Sequence, residues 1–317
     1  MPPEVTSSVL GYGTSALLGP NSREYALSLL DTAFDNGITH FDTARAYGSG
    51  DAEGVVGEFL AGKRDHVTLT TKLGTAPPAG LARQKLLRSA VRRVMRLSPR
   101  LREALGRQGA RMVQRHNFSP EEARTSLETS LRELRVDHID VLLLHGGRPE
   151  DCTPELLAYL DEARREGKIG RIGLGTDVES AVTILRDSPR FGEVVQFEHS
   201  VLAPNAQRIP PESGATVITH GSLAGIGNLL GYLRVNPDEA KRWSEEIGAD
   251  CSDPKVLAAL MLLYAVQTGR RGPVLFASTK LENIRSNAAA ISGPPYSAEQ
   301  VDKFAELAGT SGVEQPS

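Results

Sequence analysis

Four side chains in this sequence could move a proton to or from a bound molecule: Asp42, Tyr47, Lys72 and His145. Asp42 ends a short β-type run, Tyr47 follows it in the next loop, and Lys72 and His145 each end a later β-type run. A tyrosine hydroxyl titrates near pH ~10, so it needs a nearby cation that favours its phenolate before it can exchange protons at neutral pH. Lys72 could be that cation, Asp42 could hold it in place, and His145 could orient a carbonyl oxygen.

Each of these residues alone has an ordinary structural explanation. A strand-end aspartate is commonly a turn residue, a lysine is commonly solvated, and a histidine after three leucines commonly belongs to the core. Their arrangement at the ends of separate strands favours a shared site instead, because parallel strands of a barrel converge at their C-terminal ends.

Eight β-type runs alternate with helical patterns along the chain, and residues 139–144 are apolar with one exception, as in strands that helices cover on both faces. We therefore predict one (β/α)8 TIM barrel over residues 1–317. A doubly wound sheet is disfavoured, since no Gly-x-Gly-x-x-Gly motif follows an early strand. Helix starts are marked by Asn21 with Glu24 and by Ser119 with Glu122, which match the capping-box pattern.

As a set, these motifs resemble the aldo-keto reductase superfamily. The resemblance covers nearly the whole chain and includes residues 11–14, 36–44, 71–74, 126–134 and 139–145. It implies a barrel that binds NADPH, or less often NADH, in an extended form without a Rossmann domain. It also implies hydride transfer to a carbonyl carbon with Tyr47 as general acid, assisted by Asp42, Lys72 and His145.

At the nicotinamide end, the cofactor contacts implied by the resemblance include departures from the family pattern. Gln196 matches the glutamine that binds the carboxamide, whereas the usual serine-asparagine pair is Gly175 and Thr176 here. His220 occupies the position of the usual stacking aromatic residue, and Gly221 begins the turn that meets the pyrophosphate.

At the adenosine end, the arginine that often binds the 2′-phosphate is Asn283, and Lys280 or Arg285 could take its place. The residues implied to bind the cofactor are Thr14, Thr176, Gln196, His220, Gly221, Ser222, Leu223, Ser278, Thr279, Lys280, Asn283 and Asn287.

A strongly basic segment follows the Lys72 strand. Residues 81–115 contain eleven Lys or Arg and one acid, Glu103, a net charge of +10 in a chain of net charge -3. Apolar residues recur in it at helical spacing, so we predict a basic helical insertion at about residues 75–117 on the catalytic face. Three roles remain open: solvated helices paired with an acidic barrel, a wall for an anionic substrate, carrier-linked acyl group or acidic partner, and a membrane-surface helix.

Composition limits the remaining choices. The 317 residues carry a net charge of -3, which does not indicate a nucleic-acid partner. The sequence contains no apolar run long enough to span a membrane and no signal-peptide pattern, so we expect a cytoplasmic protein. Cys152 and Cys251 have no metal-ligand spacing and are expected to stay reduced.

We therefore predict an NAD(P)H-dependent oxidoreductase that reduces an aldehyde, a ketone or a sugar-like carbonyl of a small molecule, with NADPH favoured over NADH. Two alternatives remain: an NAD(P)-dependent sugar or alcohol dehydrogenase that runs the same site in reverse, and a nucleotide-binding regulatory subunit with little turnover. The presence of Tyr47 argues against the regulatory alternative. Neither the substrate nor the oligomeric state can be read from the sequence.

Overall fold

The computed structural model of the protein describes residues 7–18, 21–75, 116–269 and 272–314. Within them, eight parallel strands pair in sequence order and close into a barrel, with β8 beside β1. The predicted (β/α)8 barrel is therefore confirmed. The strands are β1 (Leu10–Gly13), β2 (His40–Asp42), β3 (Thr68–Leu73), β4 (Ile139–His145), β5 (Ile169–Gly175), β6 (Val194–Glu198), β7 (Thr216–His220) and β8 (Val274–Phe276).

Helices surround the strands. In the described residues they are α1 (Arg23–Asp35), α2 (Ala52–Phe59), α3 (Pro120–Leu134), α4 (Pro154–Arg165), α5 (Val178–Asp187), α6 (Ile226–Val235), α7 (Pro237–Ile247), α8 (Pro254–Thr268), α9 (Leu281–Ser292) and α10 (Ala298–Thr310). The basic insertion predicted at about residues 75–117 lies almost entirely outside the described residues. That the whole chain forms one domain stays a prediction.

Two predicted helix starts have different outcomes. Ser119 caps α3 as expected, since its hydroxyl accepts a hydrogen bond from the Glu122 backbone N–H at 3.3 Å. The prediction that Asn21 caps α1 is wrong by one residue: Ser22 is the cap and accepts from the Tyr25 backbone N–H at 3.1 Å. Asn21 instead donates from its side-chain amide to the Leu17 carbonyl oxygen at 3.0 Å, which ties the preceding loop to the helix start.

Alternation along the strands determines which side chains face the barrel interior. On β4, Leu143 belongs to the small apolar cluster inside the barrel, whereas Leu142 and Leu144 belong to the larger core between strands and helices. His145, two residues after Leu143, therefore shares the inward face. The same argument applies to Gln196, which follows the inward Val194 on β6 by two residues.

A second apolar core lies beside the barrel. Trp243 on α7 is fully buried there among side chains of α6, α8 and α10, including Leu229, Leu260 and Phe304. Residues of the barrel strands do not take part in this cluster within the described residues. The three helices between β7 and β8 thus form, together with α10, a helical pack with its own core.

The inward face of β2 also carries His40, two residues before Asp42. The His40 ring is 1% exposed, and its two nitrogens lie 3.1 Å from the Ser7 hydroxyl oxygen and 3.2 Å from the Thr70 hydroxyl oxygen. Burial lowers the pKa of His40 to about 4, because the imidazolium would lose its hydration. His40 is therefore neutral at pH 7.

We expect the free energy of unfolding to fall as the pH drops from about 6.5 towards 4, because the unfolded chain then binds protons that buried His40 does not. The lowered pKa of His40 corresponds to a contribution of about 3 kcal/mol to the free energy of unfolding. This contribution is fully present above the pKa of the unfolded chain and is lost as the pH falls to the pKa of the folded protein. His40→Gln should weaken this pH dependence in urea titrations at several pH values. Part of the pH dependence should remain in this variant, because the pKa values of His145 and His199 are also lowered.

The exposed His66 provides the matched control for His40. His66→Gln should leave the pH dependence of the free energy of unfolding as it is in the wild type. An equal change in the two variants would contradict the assignment of the effect to the buried ring.

Candidate functional site

The four side chains predicted to form the catalytic site lie together at the C-terminal end of the barrel. Asp42, Lys72 and His145 are at or next to the ends of β2, β3 and β4, and Tyr47 begins a 3-10 turn in the loop after β2. All four line the same cleft. The structure therefore brings the predicted residues together, while their roles stay predictions.

Lys72 and Asp42 form a buried ion pair. The Lys72 Nζ lies 2.5 Å and 2.6 Å from the two carboxylate oxygens of Asp42, and it also donates to the Thr43 carbonyl oxygen at 3.1 Å. Both residues are 3% exposed. Burial by itself lowers the pKa of Lys72, but Asp42 and Tyr47 outweigh that effect, so the pKa is raised and the ammonium stays charged.

Tyr47 lies against this ammonium. Its ring centroid is 5.2 Å from the Lys72 Nζ. Burial raises the pKa of Tyr47, while Lys72 lowers it; the net pKa is above the ordinary value. The expected effect of the lysine is thus present, but burial is stronger, and Tyr47 keeps its proton at neutral pH.

His145 stands edge-on to Tyr47, with ring centroids 5.9 Å apart and an interplanar angle of 88°. Burial, followed by the charge of Lys72, lowers the pKa of His145 to about 4, so the ring is neutral at pH 7. Its Nδ1 is buried and has no hydrogen-bond partner among the described residues. A neutral imidazole that lines the cleft can hydrogen-bond a carbonyl oxygen through its N–H group.

The cleft has a volume of about 790 Å³. Six of the residues predicted to bind the cofactor line it: Thr176, Gln196, His220, Gly221, Ser222 and Leu223. The other six do not line it: Thr14, Ser278, Thr279, Lys280, Asn283 and Asn287. Thr14 is fully buried, Ser278, Thr279 and Lys280 follow β8, and Asn283 and Asn287 lie on α9.

Three buried hydroxyl groups near this face lack hydrogen-bond partners within the described ranges, and of their residues Ser222 lines the cleft. The hydroxyl oxygens of Thr14, Thr43 and Ser222 are buried and have no partner within the described part of the chain. Ser222 lies in the turn after β7 that includes Gly221, whose φ is +75°. A Cβ on Gly221 would lie 2.8 Å from Glu198 Cγ, so this turn also needs glycine sterically. The sequence predicts that this turn meets the pyrophosphate of an extended dinucleotide, and that contact stays a prediction.

The structure adds acidic side chains that the sequence interpretation missed. Asp177, Glu179 and Glu198 line the cleft. Glu198 is the last residue of β6, and Asp177 caps α5 by accepting from the Ser180 backbone N–H at 2.8 Å. The strand-end rule that found Asp42 and His145 would also have found Glu198, had it been applied to every strand.

Gln196 has an unexpected partner. Its amide Nε2 donates to Asp42 Oδ2 at 2.7 Å, across 154 residues of sequence. The predicted contact with a nicotinamide carboxamide is therefore not the only interaction open to this side chain. At position 175, a Cβ would lie 3.5 Å from Gln196 Oε1, an ordinary contact, so the missing serine leaves space next to the amide.

In the ranges that the structure describes, no helix has the length and apolar character to cross a bilayer. Among the same residues, no group of three or more His, Cys, Asp or Glu side chains could hold a metal ion.

The fold and the cleft define a (β/α)8-barrel enzyme with a buried Lys–Asp pair and a protonated tyrosine at the C-terminal face. The model of the aldo/keto reductase family matches residues 9–308 of the sequence. The chain belongs to this family and is an NAD(P)H-dependent oxidoreductase, as expected from the sequence.

Two relatives illustrate the range of similarity. The chain is 24% identical over 316 residues to the uncharacterized oxidoreductase YqkF of Bacillus subtilis, with 93% of this chain and 90% of that protein covered. It is 28% identical over 212 residues to the NADH-specific methylglyoxal reductase of Escherichia coli, with 63% of this chain and 57% of that protein covered. Only part of the second relative is therefore matched.

Solved structures show the same fold. The aldo/keto reductase from Klebsiella pneumoniae, solved in complex with NADP and acetate, superimposes with a TM-score of 0.66 at 21% identity. The alignment covers 98% of this chain and 93% of that chain. At this level of identity the similarity supports the architecture.

Proposed function

We propose that the protein reduces the carbonyl group of a small aldehyde, ketone or sugar-like molecule to an alcohol, with NADPH as the favoured reductant. The observation that carries the proposal is Tyr47, which lines the cleft with its ring centroid 5.2 Å from the Lys72 Nζ and whose raised pKa keeps it protonated. A protonated phenol is the form that a reduction needs, because the new alcohol takes its proton from a general acid.

Each side chain of the site has a part in this proposal. His145 hydrogen-bonds the carbonyl oxygen and directs it towards the Tyr47 hydroxyl. Tyr47 gives its proton to that oxygen, and Lys72, held by Asp42, stabilises the phenolate that remains. When bound, NAD(P)H supplies the hydride that reaches the carbonyl carbon. The protein contributes position, electrostatics and the proton.

The same cleft supports the cofactor part of the proposal. Ser222, with its unpartnered buried hydroxyl, would donate to the pyrophosphate, and Gln196 and Thr176 would face the nicotinamide end. The loop after β8 is held from below: Tyr12 and Tyr25 donate to the Ser278 and Thr279 carbonyl oxygens at 2.6 Å and 3.2 Å. This loop would carry the adenosine end.

The direct test measures turnover. Purified protein is mixed with NADPH and a panel of small aldehydes, ketones and aldoses, and NADPH consumption is compared with the alcohol formed. The proposal expects one alcohol for each NADPH consumed. Tight NADPH binding without consumption on any carbonyl would contradict it.

A protein cation that binds the 2′-phosphate should distinguish NADPH from NADH. Lys280 is exposed and precedes α9, next to the predicted adenosine segment. Lys280→Ala should weaken NADPH binding about tenfold, or about 1.4 kcal/mol, and leave NADH binding unchanged, because only NADPH carries the extra phosphate. Fluorescence titration of both cofactors measures the two Kd values.

Two further variants control that experiment. Ser222→Ala should weaken both cofactors equally, since the pyrophosphate is common to them. Arg285→Ala tests the other cation near the segment. The ratio of the NADPH Kd to the NADH Kd is compared with that of the wild type. If it is unchanged in both the Lys280 and the Arg285 variants, neither cation binds the 2′-phosphate.

A further inference from the structure

The contact between Gln196 and Asp42 lies inside the barrel and joins β6 to β2. Gln196 is 3% exposed, and its Nε2 donates to Asp42 Oδ2 at 2.7 Å. A carboxylate can only accept hydrogen bonds, so the amide group that faces it must be the NH2 end. The orientation of the Gln196 side chain therefore follows from the chemistry of its partner.

The oxygen end of the Gln196 amide is not constrained by the neighbouring strand β5. Position 175 on β5 is glycine, and a Cβ built there would lie 3.5 Å from Gln196 Oε1 and 3.6 Å from Lys72 Cε. A serine at this position could compete for the amide, but the glycine cannot. Asp42 is thus the described partner that determines where the Gln196 amide points.

The Asp42 carboxylate has to be held because it holds Lys72. It accepts two hydrogen bonds from the Lys72 Nζ and one from Gln196, and these donors lie on different strands. A buried carboxylate with several charge-assisted or amide donors has little freedom to rotate. Without the Gln196 donor, the carboxylate could turn and carry the ammonium away from Tyr47.

Other charged and titratable groups also face this region. They come from β4, β6, β7 and the adjoining loops: His145, His116, Glu198 and His220. Within the described residues, none of these four side chains donates a hydrogen bond to Asp42. Gln196 therefore acts on the carboxylate independently of them.

We propose that Gln196 is a positioning residue for proton transfer: its amide fixes the Asp42 carboxylate and, through it, keeps the Lys72 ammonium beside the Tyr47 hydroxyl. This role is additional to a contact with the nicotinamide carboxamide. It rests on the proposed function for its kinetic consequence, but the contact itself can be tested without turnover.

The kinetic test compares Gln196→Met with Thr176→Val. Both positions are predicted to face the nicotinamide end, but only Gln196 contacts Asp42. At saturating cofactor, Gln196→Met should lower kcat about tenfold. The alkaline limb of kcat, where Tyr47 loses its proton, should move to higher pH, since a displaced Lys72 no longer favours the phenolate. Thr176→Val should weaken cofactor binding without moving the alkaline limb, because Thr176 does not contact Asp42.

A stability test uses Gln196→Glu beside Gln196→Met. The glutamate has nearly the same shape but places an acceptor against the Asp42 acceptor, whereas methionine only removes the donor. The urea midpoints at pH 7 should decrease in the order wild type, Gln196→Met, Gln196→Glu. This order does not depend on any substrate.

The outcomes separate the two proposals. A Gln196→Met variant with wild-type kcat and pH profile and only a raised cofactor Kd would reduce Gln196 to a carboxamide contact and overturn the positioning role. Equal midpoints for the Met and Glu variants would overturn it as well. If the wild type reduces no carbonyl, the proposed function fails, and the order of the midpoints still decides whether Gln196 holds the ion pair.

Discussion

Tyr47→Phe is expected to lower kcat for carbonyl reduction by about 10²- to 10⁴-fold, the usual contribution of a positioned general acid. The change removes the hydroxyl and leaves the ring, so the edge-on contact with His145 at 5.9 Å can persist. Cofactor binding should therefore be nearly unchanged. Steady-state kinetics and fluorescence titration of NADPH measure the two quantities on the same preparation.

Tyr159→Phe is the matched control for this substitution. Tyr159 is buried on α4 under the Arg124 guanidinium, away from the residues that line the cleft. Its loss of a hydroxyl should leave kcat near the wild-type value. If Tyr47→Phe keeps more than about a tenth of the activity, the proton comes from another donor and the proposed role of Tyr47 is wrong.

Asp42→Ala is expected to destabilise the fold by about 3–5 kcal/mol, because it leaves the Lys72 ammonium buried without its carboxylate. The pair is almost fully shielded, with side chains 2% and 4% exposed. The same variant should lose most of its activity, since the cation beside Tyr47 is no longer held. Urea unfolding at pH 7 measures the first effect, and kcat of the folded variant the second.

The exposed ion pair between Arg23 and Glu58 provides the comparison. Its atoms are as close, at 2.6 Å, but the two side chains are 47% and 41% exposed. Glu58→Ala should therefore change the free energy of unfolding by less than about 1 kcal/mol. Similar losses in the Asp42 and Glu58 variants would show that burial does not set the energetics of the Lys72 pair.

The fold was predictable where the strand pattern was strong. The apolar run at residues 139–144 lies in β4, as predicted, since burial on both faces leaves a clear signal. Helix α6 was not predicted: Gly225 stands at its cap position with a φ of +80° and no side-chain cap, and the helix buries only Leu229 and Leu233. α10 was also missed, although Ser297 and Gln300 form a capping box in front of it.

The site was predictable as a set of strand ends, but the net pKa of Tyr47 and the hydrogen-bond partner of Gln196 were not. Residue types and order are enough to place Asp42, Lys72 and His145 on one face of a barrel. The net pKa of Tyr47 depends on how burial compares with the charge of Lys72, which the sequence does not indicate. The partner of Gln196 depends on a contact across 154 residues, which only the closed barrel brings together.

The separate helical pack beside the barrel has a spectroscopic consequence. Trp243 is the only tryptophan of the chain, and it is fully buried in that pack and does not line the cleft. Its intrinsic emission therefore reports on the packing of α6, α7, α8 and α10, whereas far-ultraviolet circular dichroism reports on all helices and strands. Tryptophan emission of this enzyme therefore reports on the helical pack beside the catalytic barrel, and the emission of the reduced nicotinamide reports on the cleft directly.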